Sequence, residues 1–586
     1  MEAPQDTSPA VTTSSLKGFN GGLQPLEWSK WNTREFWIGD FDYVAMFMPY
    51  IPGLTPKKYQ KREMPFFGPN ERLPILLMLL LGFQHSLAML GGLVTPPILL
   101  GGGAGASLTS TEQAYLISAS LIWCGFGTML QVSSIKLPFG YFIGSSVLTV
   151  TGTSFAFIGS SLGYINSQYA PGGICQRDEL GNKTPCPEAF GAVLGTATVV
   201  GIIAVLASFA PTRIIRKMFP PLVTGTIMTL IGVSLLGSGI SNWAGGSGTC
   251  MSDLTVPCVK AATWGSPQLI GLGFLTFISI ILLDLFGPPF IRNCAVFIGL
   301  AIGMIVAAGT GYFNGAAISA APGITFNWVH RFPLSIKGDL VLPFLASYIV
   351  VLSETVGNVS ATCQVSGLSI TDDVFPKRVQ GSMLADTLVA CFGGLATVSP
   401  ATLFSQNVGV VSFTRNASRY SGYVCGAFLV LAGVIAKFGS LFVAMPASVL
   451  GGLTTFLFGS VAIAGIRLLA LCHWTRRTRF ILTCAMSLGF ASVIKPEWFS
   501  YFFTYSGDNA ALKGFLNAIT LVVEEGYLIA AFIAIPMNLL VPYEQEDLDA
   551  MRMTSDGEQS ESEVVALPIV QPDQKRSSSI SDSDAK

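Results

Sequence analysis

The sequence predicts an all-α polytopic membrane protein of about fourteen transmembrane segments, arranged as two inverted seven-span repeats. Three observations point there. The 586 residues are 51% hydrophobic and only 11% charged, with a mean hydropathy of +0.57, whereas a soluble protein carries roughly a quarter charged residues. Apolar runs near the ~20 residues that a spanning helix needs recur about fourteen times along the chain. Two of these runs, at matching positions of the two halves, are interrupted by polar Gly/Ser/Thr-rich stretches, the mark of broken helices around a midplane site. The net charge of −1 carries no signal for nucleic acid, and no basic domain is present.

Residues 1–72 are polar but hold Trp28, Trp31 and Trp37, too aromatic for a purely disordered tail. They are expected to be a cytoplasmic arm that packs against the body. They also lack a basic head followed by an apolar core, so no cleavable signal peptide is expected. The first repeat is placed at 73–312, with spans near 73–93, 113–131, 141–160, 190–209, 220–237, 268–286 and 291–312. The second is placed at 340–540, with spans near 340–357, 379–397, 401–415, 420–437, 441–466, 479–494 and 518–540. Residues 541–586 are acidic and then Ser-rich, a composition that stays disordered.

Charge fixes the orientation. Arg213, Arg216 and Lys217, then Arg292, then Lys377 and Arg378, then Arg476, Arg477 and Arg479 fall in alternate loops. With these loops inside, both termini are cytoplasmic. The opposite loops carry Cys175, Cys186, Cys250 and Cys258. An external face is oxidising, so one or two disulfides are expected there, Cys175 with Cys186 and Cys250 with Cys258 being the natural candidates; spacing alone leaves the pairing open.

The third and tenth runs are the informative ones. Ser145-Ser146 through Gly152-Thr153-Ser154-Phe155 breaks the third. Ser405–Arg415, preceded by a Gly393–Pro400 stretch, breaks the tenth. Ionisable side chains inside a span are functional candidates by default, and there are few: Glu354 at the end of an apolar helix, Asp386 within Gly381–Asp386, and His85 after Gln84. For His85 the plainer reading is a buried histidine that braces two helices. A carboxylate facing a primary amide complements a flat heterocycle with alternating N–H and C=O groups. Gln406 can donate to a ring carbonyl and accept from a ring N–H, Glu354 can accept from another N–H, and Phe155 offers a face for stacking. No metal-ligand spacing, phosphate-binding loop, nucleophile elbow or nucleotide-binding domain is present. No cofactor is therefore expected, and a membrane enzyme lacks its catalytic constellation. An ion channel would call for rings of pore-lining groups rather than one asymmetric site.

Gln406-Asn407-Val408-Gly409-Val410-Val411-Ser412-Phe413-Thr414-Arg415 meets every fixed position of the signature of the nucleobase–ascorbate transporter family. Gln84-His85, Glu354-Thr355-Val356-Gly357, Gly152–Ala156 and the segment 505–509 resemble the same family over roughly residues 35–545. The likeness is strongest to its fungal uric acid–xanthine permeases. The resemblance implies a core domain moving past a gate domain, a homodimer joined through the gates, and proton-coupled purine uptake at the plasma membrane. It implies Glu354 and Gln406 as the main side-chain contacts, with Phe155 and Ser405 contributing backbone. Asn407 would support the loop, and Asp386 would join a proton-coupled network. Thr414 and Arg415 would tune selectivity, and Phe532 would act as an aromatic gate. Glutamine at the first signature position goes with purines, glutamate with uracil and proline with ascorbate. The chain departs from the fungal pattern at Asn358, where a carboxylate is usual, and at Ser405 and Val408, where alanine and asparagine are usual.

Overall fold

The computed structural model describes residues 23–25, 28–49, 65–170, 172–179, 181–210, 217–246, 249–252, 257–258, 262–370, 372–499, 501–503 and 509–547. Arg213, Arg216, residues 505–508 and the expected tail beyond Asp547 lie outside the described residues, as does much of the expected arm.

Among the described residues, fourteen membrane segments can be traced. In chain order the first seven are α1 (Ile75–Gly101), α2 (Ser110–Val132), strand β1 (Thr151–Thr153) with α3 (Ile158–Ser167), α4 (Pro187–Ala207), α5 (Pro221–Trp243), α6 (Pro267–Phe286) and α7 (Ala295–Gly309). The second seven begin with α8 (Gly338–Val365), α9 (Phe375–Leu395) and strand β2 (Ala401–Leu403) with α10 (Gln406–Thr414). They continue with the bent pair α11 and α12 (Arg419–Val434, Ala436–Val443), α13 (Ala447–Ala470), α14 (Arg476–Ile494) and the bent pair α15 and α16 (Ala510–Glu524, Gly526–Leu540). Helix starts follow local chemistry. Proline opens α4, α5 and α6, where its missing N–H costs nothing. Thr109 and Glu112 close a capping box on α2.

Each third segment is a short strand followed by a half-helix, and the two strands pair antiparallel, Thr151 with Leu403 and Thr153 with Ala401. Corresponding segments thus run in opposite directions, as an inverted repeat requires. The pairing also explains why these stretches are not helical. Val147–Thr153 and Thr397–Leu403 are rich in β-branched residues, which favour extended backbone. Each is entered through a non-glycine residue in the left-handed region, Ser146 (φ 58°) and Thr397 (φ 65°).

The packing separates two groups of spans. α1–α4 pack with α8–α12, and α5–α7 with α13, α14 and α16, while α15 lies mainly against α8. Within each group small residues let backbones touch: Gly125 of α2 lies against the Gly426 carbonyl of α11, and Gly232 of α5 lies against the Ala462 backbone of α13.

Several expected boundaries shift: α1 runs on to Gly101, α8 runs on to Val365 so that Glu354 lies inside the helix rather than at its end, and the last span begins at Ala510. The third segment's helical half runs on to Ser167 because the strand takes up residues 151–153. The expected span at 441–466 begins at Ala447 instead, since residues up to Val443 continue the eleventh segment beyond a 77° bend and Pro446 restarts the helix. The last span is two helices meeting at 90°, with Glu525 extended between them (φ −90°, ψ 104°).

Disulfides join Cys175 to Cys186 and Cys250 to Cys258, while Cys294 and Cys391 are buried free thiols. The disulfide-bearing loop after α3 is also pinned by Lys183. Its Nζ donates to the carbonyls of Gly103 (3.1 Å) and Ala104 (2.9 Å) and to Asn166 Oδ1 (2.6 Å). In the arm, Met46 is buried beside Leu73 and Leu77 of the body and the Phe47 ring packs at a tilt against Phe290 (interplanar 40°). Trp31 and Trp37 stay exposed.

Candidate substrate site

β1 and β2 lie among helices, where each unpaired backbone group is costly. Their bonds close as a set. Phe404 N–H donates to the Val150 carbonyl (2.9 Å) and Ser154 N–H to the Pro400 carbonyl (2.8 Å). At the outer edges, Thr151 N–H donates to Thr128 Oγ1 (3.1 Å) and Asn358 Nδ2 donates to the Leu403 carbonyl (3.1 Å). The two strands deliver Phe155 and Ser405-Gln406, the residues just beyond their ends, to one place.

That place is a small cavity between the two groups of spans, lined by Phe155, Glu354, Asn358 and Thr402–Gln406 on one side and by Met228, Ile231 and Val461 on the other. It measures about 30 Å³, far less than a fused bicyclic ring needs, so the cavity must widen to admit one. Phe155 lies parallel to Phe404 (interplanar 10°, centroids 6.0 Å) and edge-on to Phe458 (5.6 Å). Phe404 in turn rests on Gly92 and Gly152, where a Cβ would collide with its ring.

The polar groups form two layers. Glu354 and Gln406 face the cavity, and among the described residues neither side chain has a hydrogen bond of normal geometry, although the Thr402 hydroxyl faces Glu354. Behind them Asp386 is fully buried and accepts from Thr355 Oγ1 (2.5 Å) and Thr402 Oγ1 (3.3 Å). Thr402 thereby connects the two carboxyl groups. On the other flank Asn407 Nδ2 donates to His85 Nδ1 (2.9 Å) and to the His85 carbonyl (3.3 Å). That contact requires Nδ1 to be unprotonated, leaving the hydrogen of a neutral ring on Nε2.

The structure therefore brings Glu354, Gln406, Phe155, Ser405 and Asn358 together at the cavity. Asp386, Asn407 and His85 stand one layer back: Asn407 is buried and turned toward His85, away from the lining. Asn358 is occupied with a strand carbonyl, so its amide anchors β2. Thr414 and Arg415 sit at the far end of α10, Thr414 bonded to the Val410 carbonyl (2.7 Å) and Arg415 in the left-handed region (φ 52°). There the arm reaches the exit of α10, with Phe67 N–H donating to the Arg415 carbonyl (2.9 Å). Phe532 is not brought to the site; it lies on α16, 46% exposed and outside the lining. Sequence reasoning missed Thr402, Phe404 and the apolar wall from α5 and α13. Thr402 and Phe404 become visible only once 401–403 is known to be a strand, and plain apolar residues in a span carry no signal of their own.

A helical membrane body with a polar pocket between two packed groups of spans is the build of a membrane permease. The chain belongs to the nucleobase–ascorbate transporter family. A family model described as a permease family matches residues 77–497. The chain is 47% identical over 526 residues to the uric acid-xanthine permease of Emericella nidulans, covering 89% of this chain and 90% of that one. It is 45% identical over 523 residues to a purine permease of the same organism, covering 88% and 90%. Among solved structures, the transmembrane domain of the cyanobacterial bicarbonate transporter BicA aligns with TM-score 0.45 at 14% identity, covering 78% of this chain and 96% of that one.

Proposed function

We propose that this permease takes up oxidised purines, uric acid and xanthine, across the plasma membrane by proton-coupled symport with alternating access. One observation carries the reading. A carboxyl (Glu354), met only by the Thr402 hydroxyl, and a primary amide (Gln406), with no side-chain hydrogen bond among the described residues, face one cavity beside the Phe155 ring. Polar groups that line a cavity are left open to the hydrogen bonds of a ligand. An oxidised purine supplies them: ring N–H groups for the carboxylate, and adjacent C=O and N–H groups for the amide. Glutamine rather than glutamate or proline at the head of the signature supports purine over uracil or ascorbate.

The proton falls to Glu354 and Asp386, joined through Thr402. Asn358 stands where the relatives usually carry a carboxylate, and an amide does not titrate. The family resemblance supports a homodimer joined through α5–α7 and α13–α16, with both termini in the cytoplasm.

Radiolabelled xanthine uptake in cells lacking their own purine carriers tests the proposal. Uptake should be competed by uric acid and abolished by a protonophore. Competition by uracil or ascorbate without competition by purines would assign the chain to another substrate class. Uptake that follows sodium and ignores the protonophore would remove the proton.

A further inference from the structure

The bend in the last span places a carboxyl that no spacing or motif singles out. Glu525 separates α15 from α16 and is not bonded as a helix cap. Its carboxyl group lies over the Cα of Gly159, the second residue of α3, so closely that a Cβ there would overlap it. Two residues on, Tyr527 Oη donates to the Ala156 carbonyl (2.8 Å), which Ser347 Oγ also reaches (2.9 Å). Ala156 directly follows Phe155. The last span therefore touches the half-helix next to the cavity at two neighbouring points, across the boundary between the two groups of spans.

Among the described residues Glu525 makes no ion pair. The titratable groups nearest it are Glu524 beside it and Tyr527 after it. α3 adds Tyr164, and α8 adds Asp339 at its start, which bonds Asn517 of α15 (3.5 Å), whereas its Tyr348 bonds the Ala197 carbonyl and its Glu354 faces the cavity. Next to Gly159, the fully buried Ser160 hydroxyl stands beside the Tyr527 hydroxyl. Charge without a counter-ion at bilayer depth is costly, and a bound proton removes that cost. We propose that Glu525 is a second proton-binding site of the transport cycle, neutral while it covers Gly159 and ionised when α3 moves away and water enters the boundary. The proton comes from water on one side and returns to water on the other. This inference rests on the proton-coupled reading above and adds a titrating group outside the substrate site.

The test uses the full chain with Glu525→Gln and Glu525→Asp, following xanthine uptake from acidic to alkaline medium, the xanthine inhibition constant and surface fluorescence of a tag. Glu525→Gln should bind xanthine as the wild type does while the ratio of acid to alkaline uptake shrinks about threefold or more. Glu525→Asp keeps a carboxyl, so its pH dependence should persist with the midpoint moved by about half a unit, ~threefold in proton affinity. A wild-type pH profile in Glu525→Gln overturns the inference. If that variant fails to reach the surface, an unmoved midpoint in Glu525→Asp overturns it instead. Wild-type uptake that ignores the protonophore refutes the coupling reading itself, a failure visible before any variant is made.

Discussion

At the scale of single residues, Gln406 is where hydrogen-bond direction can be read most directly. An amide donates and accepts; a carboxylate only accepts. Gln406→Glu should set an acceptor against any ligand carbonyl at that edge, costing about 1–3 kcal/mol, roughly fivefold to more than a hundredfold in affinity. Ligands presenting an N–H there should lose less. Competition by xanthine, uric acid, hypoxanthine and uracil in the two proteins measures the change in ranking, and equal weakening for all four would show that Gln406 shapes the helix start without touching the ligand. Gln406 and Glu354 were legible in the sequence because polar groups are rare in apolar runs. Asn407 was equally conspicuous, yet sequence could not tell which way its amide turns. That depends on His85, 322 positions away, a contact only the fold creates.

At the scale of elements, the site rests on a two-stranded ribbon of three residues a side. Gly152 is its tightest point, packed against the Phe404 ring that lies parallel to Phe155. A methyl group at this position forces the ring aside, and overpacking of this kind costs about 1–3 kcal/mol. Gly152→Ala should therefore lower xanthine affinity by roughly fivefold or more while leaving the disulfide-bonded loop after α3 intact; competition assays and surface labelling separate the two, and unchanged affinity would show that the stack does not shape the pocket. The interruption of the third and tenth segments was visible in the sequence as Gly, Ser and Thr at bilayer depth. That each interruption is a strand was not. Runs of three residues have too little periodicity to reveal their type, and each strand exists only because the other is beside it. The bend at Glu525 was hidden for a similar reason: Glu524-Glu525-Gly526 reads locally as a brief polar interruption of one helix.

For the whole molecule, the proposed alternating access predicts that α5 and α8 move past one another. Thr224 Oγ1 of α5 and Ser353 Oγ of α8 lie 2.6 Å apart across that boundary, next to Glu354. Thr224→Cys with Ser353→Cys places two sulfurs where a disulfide can close with a small adjustment. Oxidation should stop uptake in the double variant, reductant should restore it, and each single variant should be indifferent to both. Uptake that persists in a fully cross-linked protein would show that this boundary does not slide. The division into seven and seven was legible from span count and from the matching breaks, whereas the membership of the two packed groups required the contacts themselves.

The antiparallel ribbon also bears on how the protein is made. While the ribosome has not yet produced Ala401–Leu403, the edge of Thr151–Thr153 that those residues will cover has no backbone partner, although its own half of the molecule has long since entered the bilayer. Pairing across some 250 positions is slow to find, and a bare edge at that depth is an invitation to aggregate. The first half must therefore wait in a form it does not keep, shielded by other spans or by cellular insertion machinery, and the pocket appears only in a late step that joins both halves at once.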